Sequence, residues 1–252
     1  MSKSEANAER AALVTGASTG IGLATAERLL HDGFALGFHS HRADDKARAC
    51  FEELEARGRA VWVVGDLTDS ATPARLVRET VDGLGRLDVL VNNAGIVAPK
   101  PALELTADDF DAVFAVDVKS AFLLSVAAAP ELRRSGEGAI VNVTSVHEHV
   151  PRPGLALYSS AKAALGMLTR SLALELAPEI RVNAVAPGAI TTERNEEADE
   201  LATEIPLGRP GAPEEVAAAI AWLVGGDARY VSGASIVVDG ALLQQVVSLP
   251  AR

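Results

Sequence analysis

The chain has 252 residues, 48% of them hydrophobic and 23% charged, which suits one soluble α/β domain. Its 34 acidic and 23 basic residues leave a net charge of −11, a balance that repels phosphate backbones and anionic membranes and argues against a nucleic-acid or lipid-surface binder. The single cysteine, Cys50, rules out an internal disulfide and offers no zinc spacing.

Residues 1–10 are polar and lack the apolar core of a signal peptide, and no apolar run is expected to reach the length of a membrane span. A cytoplasmic protein is the expectation. The first apolar, β-branched run, AALVT at 11–15, predicts a strand, and residues 21–32 predict a helix from Leu23, Ala26, Leu29 and Leu30 at helical spacing. Between them lies TGASTGIG, 15–22. Glycines at 16, 20 and 22 permit a tight turn, close approach of backbone to a phosphate, and close packing of helix on strand. The helix N-terminus then offers free N–H groups to a pyrophosphate. The spacing G-x-x-x-G-x-G differs from the common dinucleotide form, so position after strand one and before helix one carries the reading.

A second strand is predicted at 34–38, followed by HSHRADD. No acid falls at Leu36–Arg42 to bind a ribose 2′-hydroxyl, whereas Arg42 with His39, Ser40 and His41 would suit a 2′-phosphate. NADP(H) is therefore the preferred cofactor, with NAD(H) left open. A helix, a strand at 60–64, a further helix and a strand at 88–92 follow, then a long helical stretch from about 106 to 135. Strands at 139–145, 181–186 and 235–240 complete the pattern, with helical stretches at 155–177 and 213–226 between them. Seven alternations of strand and helix predict a doubly wound, seven-stranded parallel sheet of Rossmann type with helices on both faces, in one domain over 11–252. The polar, acidic stretch 187–212 is expected to cover a ligand crevice at the strand carboxyl ends.

Tyr158 and Lys162 stand at i and i+4 of a predicted helix, so they share a face. A nearby ammonium favours a phenolate, and Ser145, ending the fifth strand, is placed to donate to a substrate oxygen. Y-x-x-x-K by itself is a chance-level motif whose default reading is a core tyrosine beside a surface lysine. His147-Glu148-His149 is not H-E-x-x-H, has no further ligand cluster, and reads as pocket wall rather than metal site.

Taken in order, TGASTGIG (15–22), GD (65–66), NNAG (92–95), Ser145, YSSAK (158–162) and RVNAVAPGAITT (181–192) resemble the short-chain dehydrogenase/reductase superfamily over nearly the whole chain. The resemblance implies that Tyr158 is the catalytic acid/base, that Lys162 lowers its pKa and binds the nicotinamide ribose, and that Ser145 orients the substrate. It implies cofactor contacts from Ser18, Thr19, Ile21 and the glycines of the turn. Further contacts are implied from Asp66 and Leu67 near the adenine, from Asn92, Asn93, Ala94 and Gly95, and from Pro187, Gly188, Ile190 and Thr192 around the nicotinamide and pyrophosphate. One departure stands out: Asp117 occupies the place where the family usually has an asparagine supporting a proton-relay water. If ionised, it would pair with Lys162 and blunt its effect on Tyr158. The nearest resemblance is to 3-oxoacyl-carrier-protein and carbonyl reductases, and SVHEHVPRP resembles glucose 1-dehydrogenases. A non-catalytic dinucleotide sensor or scaffold is the alternative of another class. A small-molecule carbonyl or alcohol substrate and a homodimer or homotetramer are the expected partners.

Overall fold

The computed structural model describes residues 9–193 and 196–244. Strands form where short runs are apolar on both faces: β1 (Ala11–Val14), β2 (Ala35–Ser40), β3 (Ala60–Val64), β4 (Val89–Asn92), β5 (Gly138–Val143), β6 (Ile180–Pro187) and β7 (Ser235–Val238). They pair in parallel in the order β3-β2-β1-β4-β5-β6-β7. Between them run α1 (Gly20–His31), α2 (Asp45–Glu55), α3 (Thr72–Leu84), α4 (Ala107–Phe114), α5 (Ser120–Ser135), α6 (Ala156–Glu175) and α7 (Pro213–Val224).

Because strand side chains alternate, the sheet builds a separate core on each face. On one, Val14, Val91, Val141 and Val185 meet Leu29 of α1, Leu54 of α2 and Ile220 of α7. On the other, Leu13, Leu90, Ile140 and Val182 meet Leu76 of α3, Leu124 and Leu132 of α5 and Leu172 of α6. Full burial of a leucine contributes about 1.5–3 kcal/mol, so covering both faces holds the sheet.

Each predicted strand is present. β2, however, continues to Ser40, beyond the predicted strand end at residue 38, so His39 and Ser40 lie in a buried strand. The long predicted helix is broken into α4 and α5 by a wide π turn at Ala115–Lys119. On length and composition Ala107–Ser135 would qualify as a membrane span, with mean hydropathy 1.8, contrary to the expectation of no such run. It is a core helix: Val113, Ala121, Leu124, Ala128 and Leu132 line its buried side. Chain order places β2 and β3 on one side of β1 and β4 on the other, so the carboxyl ends of β1 and β4 flank a topological switch point, where ligands bind in such sheets.

Candidate active site

The β1–α1 turn is built by contacts, not by glycine content alone. Gly16 has φ +63°, and a side chain on Gly22 would fall 2.1 Å from the Gly16 carbonyl oxygen, so only glycine lets α1 start this close to the turn. Thr15 Oγ accepts the N–H groups of Asn93 and Ala94, both at 3.0 Å, and Asn93 Nδ2 donates to the carbonyls of Thr15 (2.9 Å) and Gly16 (3.2 Å). The NNAG motif thereby braces the turn from β4. Thr19, the N-cap of α1, makes no side-chain cap bond, which leaves the first-turn N–H groups over Gly20, Ile21 and Gly22 for a ligand, with the half-buried Ser18 on the turn beside them. These residues fit a pyrophosphate.

The second strand end divides the four residues expected around a 2′-phosphate. The Arg42 side chain is exposed and makes no hydrogen bond or ion pair among the described residues, and His41 lies 3.8 Å from Asp66. His39 and Ser40 do not face a ligand. Ser40 Oγ donates to the Arg42 carbonyl at 2.8 Å and accepts from Trp62 Nε1 at 2.8 Å. His39 is 1% exposed, its Nδ1 accepting from Gly16 N–H and its Nε2 lying 3.0 Å from the Gly65 carbonyl. Burial pushes its pKa down to about 4, so the ring is neutral. Asp66 accepts the N–H and hydroxyl of Thr68, which hold its carboxyl below the usual range, and Leu67 is buried next to it.

Asn92 is turned inward. Its side chain is buried and donates to Asn142 Oδ1 at 2.8 Å, and Asn142 in turn donates to Thr169. The Asn92 side chain serves the interior behind α5 and α6, because neighbouring strand residues point to opposite faces, and Asn93 braces the β1–α1 turn.

On α6, Tyr158 and Lys162 share a face, with the ammonium 5.5 Å from the phenol ring centre. Lys162 is buried, donates to the Val143 carbonyl at 3.1 Å and lies 3.0 Å from Asp117 Oδ2. The π turn aims Asp117 inward, where its Oδ1 accepts Ile96 N–H at 2.8 Å. Gly95 passes over this pair, and a side chain there would come within 3.1 Å of the carboxylate. Burial pulls the Lys162 pKa down, but the charge of Asp117 and then that of Tyr158 outweigh it, and the net direction is up. The Tyr158 hydroxyl has no hydrogen-bond partner among the described residues, and its ring meets the His147 ring edge-on at 6.1 Å. Ser145 is buried and its Oγ accepts His147 N–H at 3.2 Å.

The segment after Ser145 is only partly the expected pocket wall. Glu148 turns away, accepting Ser235 Oγ of β7 at 2.9 Å and pressing against Gly166 of α6. Among the described residues no cluster of metal-ligating side chains occurs. Pro187 ends β6, Gly188 N–H bonds to Val238, Ile190 is buried and bridges Gly211, and Thr192 packs over Gly20. Thr15 and the Val143 carbonyl are site components that the sequence reading did not single out. Thr15 was legible as the first residue of the turn motif, whereas the carbonyl carries no side-chain signal.

The family described as enoyl-(acyl carrier protein) reductase matches residues 16–242. The chain belongs to the short-chain dehydrogenase/reductase superfamily. Among its relatives are a cis-4-hydroxycyclohexanecarboxylate dehydrogenase of Sinomonas cyclohexanicum, 44% identical over 94% of this chain and 97% of that one. An uncharacterized oxidoreductase of Escherichia coli is 41% identical over 92% and 95%, and a glucose 1-dehydrogenase of Gluconobacter oxydans 39% over 91% and 90%. Solved structures of the same superfamily include an acetoin dehydrogenase of Enterobacter cloacae, with TM-score 0.89, 43% identity and coverage of 96% and 98%. A Burkholderia cenocepacia short-chain dehydrogenase in complex with NADP has TM-score 0.87, 37% identity and coverage of 92% and 96%. As a short-chain dehydrogenase/reductase the chain is an oxidoreductase acting on alcohol and carbonyl groups with a nicotinamide cofactor.

Proposed function

We propose that this chain interconverts small secondary alcohols and their ketones with NADP(H), using Tyr158 as the proton-transferring group. The observation that carries the reading is the unpartnered Tyr158 hydroxyl, one helical turn from a buried lysine and in ring contact with the turn that follows Ser145. A bound nicotinamide supplies or accepts the hydride. Ser145 orients the substrate oxygen, and Tyr158 moves the hydroxyl proton at that oxygen. Lys162 favours the phenolate by charge, and Asp117 holds Lys162 in place. General acid–base catalysis of this kind supplies ~10² to 10⁴ of rate.

Exposed Arg42 at the end of β2, with no acid at Leu36–Arg42, supports NADP(H) over NAD(H), and His41 stands beside it. The NADP carried by the Burkholderia relative supports the same preference. Residues 187–193 and 196–212 act as the cover: Thr192 lies over Gly20, and Glu193 pairs with Lys46 of α2. With a net charge of −11 we read the substrate as a free small ketone or alcohol rather than one carried on a protein. A sugar is the second reading, favoured by the polar His147 ring beside Tyr158. Exposed Phe110, Phe122, Val126 and Met167 on α4, α5 and α6 support self-association as a dimer or tetramer, and the expected compartment is the cytoplasm.

The test is a screen of NADPH oxidation and NADP reduction over simple ketones, hydroxyketones, β-ketoesters and aldoses, run alongside Tyr158→Phe. Turnover of one class, lost in Tyr158→Phe with NADPH binding kept, is expected. Turnover that survives the substitution overturns the mechanism.

A further inference from the structure

His39 lies outside the catalytic machinery, yet its imidazole touches both halves of the cofactor crevice. Gly16 N–H donates to Nδ1 at 3.0 Å, so the neutral ring carries its proton on Nε2, which donates to the Gly65 carbonyl at 3.0 Å. The His39 backbone carbonyl accepts Ala17 N–H at 2.8 Å. Gly16 and Ala17 belong to the pyrophosphate-binding turn, and Gly65 immediately precedes Asp66 and Leu67 on the adenine side. One side chain thus bridges two loops from different strands.

We propose that His39 is a positioning residue for the cofactor: its neutral Nε2–H imidazole fixes the pyrophosphate turn against the adenine-side turn. The inference rests on assigning the β1–α1 turn to the cofactor pyrophosphate. Three features make the ring suited to this. It is buried, so its hydrogen bonds do not compete with water. It offers one acceptor and one donor on opposite edges, which neither serine nor lysine can do. Burial disfavours its protonation against the opposing hydrogen bond to Gly65, the nearby His41 and Arg75 act in the same direction as burial, and Arg75 is itself held by Glu79 and the Val64 carbonyl. Losing the ring leaves the half-buried Gly16 N–H without its acceptor at the point where the turn must approach phosphate.

Three substitutions separate the two bonds. His39→Asn places an oxygen near the Nδ1 position and retains an acceptor for Gly16. His39→Gln places an amide nitrogen near the Nε2 position and retains a donor for Gly65. His39→Leu removes both. Fluorescence titration with NADPH, together with kcat and KM for NADPH, is the measurement. His39→Leu is expected to raise the NADPH Kd and KM at least tenfold while kcat at saturating NADPH stays within about twofold, with His39→Asn recovering most of the affinity. An unchanged Kd in His39→Leu overturns the proposal, as does an equal loss in all three variants or a fall in kcat without a change in Kd. Should His39→Leu not fold, the order Asn tighter than Gln remains the prediction, and equal affinities overturn it. Wild-type protein that fails to bind NADPH would sink the cofactor assignment instead. ¹⁵N-detected imidazole spectra of the wild type give an independent check: an Nδ1–H tautomer at His39 contradicts the geometry.

Discussion

Replacing Asp117 by asparagine removes one charge from the Tyr158–Lys162 pair at nearly constant shape. Asp117 Oδ2 lies 3.0 Å from the lysine ammonium, and the ammonium 5.5 Å from the phenol ring centre, so the carboxylate is within about 8.5 Å of the ring. At an effective dielectric near 20, a unit charge at that distance is worth about 2 kcal/mol. A carboxylate disfavours the phenolate, so its removal lets Lys162 act on Tyr158 uncompensated. The pH profile of kcat/KM for NADP-dependent alcohol oxidation should therefore keep its shape and move toward lower pH. The amide oxygen can still accept Ile96 N–H, so the fold should hold. Superimposable wild-type and Asp117→Asn profiles would refute the idea that the carboxylate opposes the phenolate. A profile displaced toward higher pH would do so more strongly.

Three further outcomes are expected. Arg42→Glu should weaken NADP(H) binding by tenfold or more and leave NAD(H) binding equal or improved, measured by titration with both. Acid should destabilise the fold through His39: its folded pKa of about 4 lies below the unfolded value near 6.5, so the stability is complete above pH 6.5 and declines as pH falls toward 4. The loss attributable to this one ring is about 2 kcal/mol between pH 7 and 5, and urea unfolding of wild type against His39→Asn at both pH values should show it as a difference in slope with pH. Phe122→Glu, on the exposed apolar face of α5, should shift the protein to a smaller species by light scattering while leaving the unfolding transition of each subunit in place.

The architecture was legible because burial on both faces of a parallel sheet writes itself as short β-branched runs, and seven of them alternate with helical spacing. Gly16, Gly20 and Gly22 were legible because a turn that approaches phosphate tolerates little else. What the sequence withheld was direction. In Asn92-Asn93 the motif names two amides, and only strand alternation in the folded sheet tells that Asn93 braces the turn while Asn92 joins Asn142 in the interior. HSHR reads as a polar loop, since nothing local says that β2 runs on to Ser40 and buries the first two residues. Glu148 looked like pocket wall because its partners, Gly166 and Ser235, are far away in sequence. Asp117 was found by motif, but its inward aim comes from a π turn that hydrophobic spacing does not announce.

That wide turn also has a consequence for the outer side of the long helix. An extra residue in one turn advances everything after it by about 100° of helical phase relative to what precedes it. Phe110 lies before the turn, and Phe122 and Val126 after it, yet all three end on the solvent side. Deleting a single residue within 115–119 would leave a smoother helix with every amino acid type intact. It would nonetheless rotate the downstream half out of step, sending Leu124 and Leu132 toward water and swinging Asp117 off Lys162. The wide turn is therefore what keeps the inner and outer faces of the helix aligned at once, and this stretch should tolerate substitution far better than a change in length.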